Sequence, residues 1–292
     1  MSNYYEPSVF FKNNKAYADY TDKFDALLNL FNESEKLKDI VTAKSKFTNW
    51  EQMACSFIFL RCQESIISIM KLCNEGNQSD ARILTRSLYE FYIHHKYIIK
   101  TKTGRMFVLF HIIAMKRFID DLENKYPDKE LVESTEYAEF KKELIENYEK
   151  IKDKFIISRG SDKRKTVKWS QKIQLRRNWS PKSLREMAES VGDKRIHHFV
   201  MSNYSSNVHC DIFALSHYLK EFGDKIEFDN APKSENMNDI LELAIIFFGA
   251  IVARWLNLLN IEVRSPFSNY LLDTDKWGGW KAFDEIIRQK GI

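Results

Sequence analysis

The sequence predicts an all-α protein: a multi-helix antiparallel bundle of about eight to nine helices with a basic loop inserted in it. Three observations carry that expectation. Glycine and proline are scarce, with nine and five among 292 residues, whereas a turn-rich β protein would need many more. Leu, Ile, Phe, Lys and Glu dominate, and most of these favour helix. Apolar residues also return at three- and four-residue spacing through most of the chain.

Taken in order, Tyr20, Phe24, Leu27, Leu28 and Phe31 predict a covering helix over about 15–38. A long second helix over about 48–74 places Phe57, Leu60, Ile67 and Met70 among its apolar positions. N-E-G-N at 74–77 breaks it, because Gly76 can take the left-handed C-cap conformation. Ser79 or Asp80 then caps a helix over 79–100, around which the rest of the chain is expected to pack. On it Ala81, Leu84, Leu88, Phe91, His95 and Ile98 form one stripe, and Arg82, Thr85, Tyr89 and Lys96 lie roughly opposite. Between the two faces Arg86 and Glu90 stand one turn apart among apolar neighbours, which places a charged pair in a second packing contact.

An apolar helix over about 103–125 is stopped by Tyr126-Pro127. The mixed-charge segment 128–155 keeps only Tyr137, Phe140, Leu144, Tyr148 and Ile151 as a narrow stripe and predicts a largely solvated helix. Ser180-Pro181 predicts a helix start and Gly192 its end. A further helix is expected over about 195–222, with Gly223 as its C-cap. Ser234 opens a helix reaching about 261, whose run 243–253 is apolar on all sides yet about half the length a bilayer requires. The stretch 263–292 is irregular and aromatic, with a short closing helix over 281–289. These elements group as a leader and cover helix (1–45), a helical core domain (46–262) and an aromatic tail (263–292).

The formal charge of +4 is too small to force a nucleic-acid or membrane reading on the whole chain. Cys55, Cys62, Cys73 and Cys210 have none of the C-x-x-C spacings of zinc or redox motifs and suit a reducing compartment. The first residues show no secretory signal pattern, so a cytoplasmic protein without a membrane role is expected. Glycine-rich phosphate loops, G-x-S-x-G and H-E-x-x-H do not occur, which argues against nucleotide-driven motors, Rossmann enzymes, serine hydrolases and zincins.

The basic loop, 159–177, is the composition outlier. Arg159, Lys163, Arg164, Lys165, Lys168, Lys172, Arg176 and Arg177 face only Asp162, a local net of +7. With Trp169 inside it and Trp179 beside it, such a loop can contact phosphates and stack on bases, so Lys163, Arg164, Lys165, Lys168, Trp169, Lys172, Arg176 and Arg177 are the candidate nucleic-acid-binding residues. A solvated connection has the same composition.

R-S-L-Y-E at 86–90, N-W-S-P-K-S-L-R-E-M-A at 178–188 and Y-S-S-N-V-H at 204–209 together resemble a bacterial all-helical family of unknown function. That family shows an R-x-x-x-E helix, then W-x-x-x-x-x-R-x-M/L-A, then Ser-x-x-x-His, and the resemblance spans about 45–260. It implies Arg86, Glu90, Ser205 and His209 as the site residues and no established activity. The HEPN toxin ribonucleases carry Arg-x(4 to 6)-His; here only Arg105 and His111 fit, and the apolar residues between them point to chance.

If the His209 helix packs against 79–100, Glu90 fixes the imidazole tautomer, Arg86 grips a phosphate or carboxylate in bidentate fashion and Ser205 positions substrate. His209 then acts as general acid or base in phosphodiester cleavage that needs no metal and no cofactor. The expectation that follows is a nucleic-acid-directed effector, a ribonuclease of toxin or antiphage-defence type, with RNA as partner. The alternative is a non-catalytic helical sensor or scaffold, partnered by a second copy or another protein, in which the same residues form a hydrogen-bond network fixing helix register. A metal at Glu90 and His94 completed by His209 or Asp211 is disfavoured, because the E-x-x-H spacing of di-iron bundles is missing.

Overall fold

The computed structural model describes residues 18–44, 47–125, 134–157, 175–208, 219–222, 225–228 and 237–262. Among them are eight α-helices: α1 (Thr21–Lys44), α2 (Trp50–Asn74), α3 (Gln78–Thr101), α4 (Gly104–Lys125), α5 (Thr135–Ile151), α6 (Leu184–Ser190), α7 (Lys194–Val208) and α8 (Asn238–Leu258). The fold is all-α, with a short antiparallel hairpin of β1 (Leu219–Phe222) and β2 (Lys225–Phe228). The chain divides into two compact units, Met1–Thr101 with Leu184–Ile292, and Lys102–Ser183.

In the first unit α3 is the central element, packed by α2, α6, α7 and α8. Its burial runs almost all round: Leu88, Ile98 and His95 are enclosed, and so are Thr85, Tyr89 and Arg82 from the opposite side. The entry to α3 is set by Gly76, whose φ of +79 allows Asn77 N to reach back to Leu72 O at 2.8 Å. α8 closes the core with the apolar run 243–253, and Phe247 lies between Tyr89 and Tyr92 at ring distances of 5.4 and 5.2 Å. Trp255 stacks on Phe59 of α2 at 4.0 Å and donates its indole N–H to Ser56.

α2 starts where Asn49 accepts a hydrogen bond from Gln52 N, while the Gln52 side chain accepts from Thr48 N and donates to Leu258 O. By length and composition α2 could cross a membrane. Its buried residues Cys55, Ile58, Phe59, Cys62, Ile66 and Ile69 lie inside the unit. Its inward face differs from the expected one: Met70 is buried, but Phe57 and Leu60 are exposed at 50% and 44%. Apolar residues fall on every side of α2, so its sequence carries little periodic contrast to tell its faces apart.

The second unit is an α4–α5 hairpin. Ile113 packs with Ile151 and Phe155 of the 3-10 turn Lys152–Phe155, and Ile119 packs with Tyr137 and Leu144, so the two helices run antiparallel. Phe140, expected on the buried stripe of α5, is exposed. Trp179 is buried edge-on against Phe107 at 5.4 Å, which takes it away from the base-stacking role its position suggested.

Three boundaries depart from expectation. Ser180 does not cap a helix; its hydroxyl accepts from Lys182 N in a tight turn, and α6 begins at Leu184. α7 is described over Lys194–Val208, residues 209–218 lie outside the described residues, and Leu219–Phe222 is strand where a continued helix was expected. The alternating L-K-E-F and K-I-E-F flank Gly223-Asp224, a two-residue hairpin signal that outweighs the helical spacing. α8 begins at Asn238; Ser234 lies outside the described residues, as do Tyr126-Pro127, Gly223, Cys210 and the whole of 263–292.

Candidate functional site

α3 meets the α6–α7 segment through a row of polar contacts. Near its N-terminal end Arg82 is buried beside Tyr204, whose hydroxyl donates to Asp239 of α8 at 3.0 Å. One turn on, Arg86 Nε donates to Ser205 Oγ at 3.2 Å, and Arg86 Nη1 pairs with Glu90 at 2.9 Å. Next, the Tyr89 hydroxyl and His197 Nδ1 lie 3.1 Å apart. Further along, Lys96 Nζ donates to both carboxylate oxygens of Asp193 at 2.9 and 2.8 Å. Finally Lys100 Nζ donates to Ser190 O at 2.6 Å.

Local structure places these groups. Gly192, at a φ of +88, ends α6 and turns the chain, and Asp193 N returns to Ala188 O at 2.8 Å. That turn brings Asp193 to the head of α7 with no exposure, facing Lys96. Burial pushes the Asp193 carboxyl above the usual range against the pull of the Lys96 ammonium. Arg254 of α8 and Tyr92 also favour the Asp193 charge, and Arg254 lies over the Tyr92 ring at 5.2 Å. Burial raises the Tyr89 phenol and lowers the His197 imidazole, so at neutral pH the pair is a neutral phenol beside a neutral ring. When the phenol donates, the ring proton sits on Nε2.

The expected cluster is thus assembled in part. Arg86, Glu90 and Ser205 meet, with Arg86 and Glu90 side chains 18% and 34% exposed. His209 lies outside the described residues. His197, which beside His198 reads as part of an exposed helix start, turns inward to Tyr89, while His198 is exposed. His95, on the apolar stripe, is fully buried, and neither ring nitrogen has a hydrogen-bond partner among the described residues. Burial lowers it to about 3.

Of the basic loop, Lys163, Arg164, Lys165, Lys168, Trp169 and Lys172 lie outside the described residues. Arg177 is exposed in the second unit, and Arg176 is tied there through its backbone, its N–H donating to Phe155 O and its carbonyl accepting from Arg117. Among the described residues no group of three His, Cys, Asp or Glu side chains is placed to hold a metal ion. His94, once paired with Glu90 as a ligand candidate, is lowered to about 4 by burial.

A family model, that of a family of unknown function (DUF5677), matches residues 52–226. The chain belongs to the DUF5677 family. The match runs from α2 into β2 and so contains the three motifs with Arg86, Glu90 and Ser205. α8, which encloses α3 and supplies Asp239 and Arg254 to the polar row, lies beyond it. The comparison gives no support to a HEPN relationship for this DUF5677 chain, and its Arg105 and His111 are both exposed on α4. No curated protein and no solved structure matches the chain.

Proposed function

We propose that this DUF5677 protein is a non-catalytic helical scaffold or sensor, in which the Arg86–Glu90–Ser205 cluster fixes the register of α3 against α7. One observation carries the reading. Two donor positions of the Arg86 guanidinium are engaged inside the protein, and this contact is one of several between α3 and the α6–α7 segment, of which Lys96–Asp193 is the most enclosed. Paired polar groups of this kind penalise a shifted helix, because a slip leaves a buried charge uncompensated. The buried free thiols Cys55, Cys62 and Cys73, the last pushed up to about 12 by burial, support a reducing and hence cytoplasmic setting.

A second reading makes the chain a nucleic-acid-directed effector, a metal-independent ribonuclease of toxin or defence type. What favours it is the solvent access of Arg86 and Glu90 beside the neutral His197, a set able to hold a phosphate and move a proton. In that case His209 or His197 is the acid or base, and the 159–177 loop grips RNA. One experiment separates the two: wild type, Arg86→Ala, His197→Ala and His209→Ala are incubated with mixed cellular RNA, in chelator and with added divalent ions. The scaffold reading expects no cleavage by wild type under any condition. Cleavage that is lost in folded Arg86→Ala establishes the effector.

A further inference from the structure

In the second unit the stretch 175–179 lies along α4. At one end Arg117 Nη2 donates to the carbonyls of Leu175 and Arg176, and Leu175 bridges to Ile156. At the other end Trp179 meets Phe107 edge-on at 5.4 Å. From Phe107 to Arg117 the helix rises about 15 Å at 1.5 Å per residue, and an extended chain covers about 13 Å from Leu175 to Trp179. The stretch therefore runs antiparallel to α4, with Arg177 opposite the middle of that span. Phe107, His111, Ala114 and Phe118 share one stripe of α4, at i, i+4, i+7 and i+11. Trp179 covers the first of them, while His111, Ala114 and Phe118 are exposed, Phe118 by 59%.

Three arginines border this stripe. Arg117 adjoins Phe118 in the helix, and Arg176 and Arg177 arrive with the extended stretch, Arg176 tied by its backbone and Arg177 exposed. Among the described residues none of the three is paired with a carboxylate; Asp120 is held by Lys116, and Asp121, one turn past Phe118, bounds the patch. Gathered positive charge of this kind carries a self-repulsion that a polyanion removes. An exposed ring beside it adds a platform for the face of a base, which a single strand offers and a duplex hides in its stack.

We propose that this face of the α4–α5 hairpin binds single-stranded nucleic acid, with a base stacked on Phe118 and backbone phosphates held by Arg117, Arg176 and Arg177. Phe118 thus takes the stacking role that burial denies to Trp179. The proposal shares a partner with the second reading above but not its chemistry. It needs no cleavage and uses none of the α3–α7 cluster, so its failure leaves either reading of that cluster untouched.

The test titrates the full chain with a labelled mixed-sequence oligonucleotide, supplied as single-stranded RNA, as single-stranded DNA and as the DNA duplex, across a range of salt. Single strands are expected to bind more tightly than the duplex, and the RNA and DNA arms tell which strand the 2′-hydroxyl favours. Phe118→Ala weakens single-strand binding about tenfold at every salt concentration. Arg177→Ser lowers the slope of log K against log salt by about 0.7, one phosphate contact on a single strand. Both side chains are exposed, so each variant keeps its fold, which far-ultraviolet circular dichroism checks. No binding of either single strand, a duplex held as tightly as the single strands, or unchanged binding in either variant overturns the proposal.

Discussion

Lys96 and Asp193 form an enclosed ion pair, with the ammonium donating to both carboxylate oxygens and Asp193 fully buried. They are 97 residues apart in sequence and tie the C-terminal part of α3 to the turn between α6 and α7. Removing one partner strands the other in a low-dielectric setting. Lys96→Met or Asp193→Asn alone is expected to lower stability by about 3–5 kcal/mol, whereas Lys96→Met/Asp193→Leu costs less than the sum of the single changes. Urea unfolding of all variants measures this coupling.

His95 gives a pH prediction. Its folded-state value, about 3, lies below its ordinary 6.5, so the native state binds fewer protons than the unfolded chain. Its contribution to stability is therefore complete above pH 6.5 and is lost as pH falls toward 3. Each unit in that window removes up to about 1.4 kcal/mol. Unfolding measured between pH 7 and 4 should show this slope, and His95→Leu should flatten it. At pH 7 the same substitution is expected to be neutral or stabilising by about 1 kcal/mol, because it replaces two buried nitrogens that lack hydrogen bonds.

The Tyr89–His197 contact is a weaker tie. Tyr89→Phe removes the hydroxyl without opening a cavity and is expected to cost about 1 kcal/mol. It should also shift the His197 ring resonances, which NMR titration of the imidazole would follow.

Much of the fold was legible because caps and periods are local signals. Gly76 and Gly192 both stand at helix ends with positive φ, as their positions implied, and α3 is the helix on which the first unit packs, although its burial extends beyond the single stripe expected. Where α2 carries apolar residues on every side, local pattern could not choose a face, and Phe57 was placed inside although it is half exposed. Of the expected cluster, Arg86, Glu90 and Ser205 do come together, as helical spacing on α3 allowed for the first two and only packing could decide for the third. Asp193 gave no hint that it faces Lys96, since an acidic residue after glycine at a helix start is ordinarily a cap. His197 was masked by its neighbour His198, because adjacent residues on a helix point to different sides and only packing decides which turns inward.

Arg86 ties α3 to α7 through Ser205, and the urea midpoint of Arg86→Ala tests that role most directly. Loss of its contacts to Ser205 and Glu90 should lower stability by about 1–2 kcal/mol, and Ser205→Ala should add little once Arg86 is gone. A functional-site arginine held at a cost in stability behaves in the opposite way. An Arg86→Ala protein as stable as wild type, or more so, would contradict the structural role.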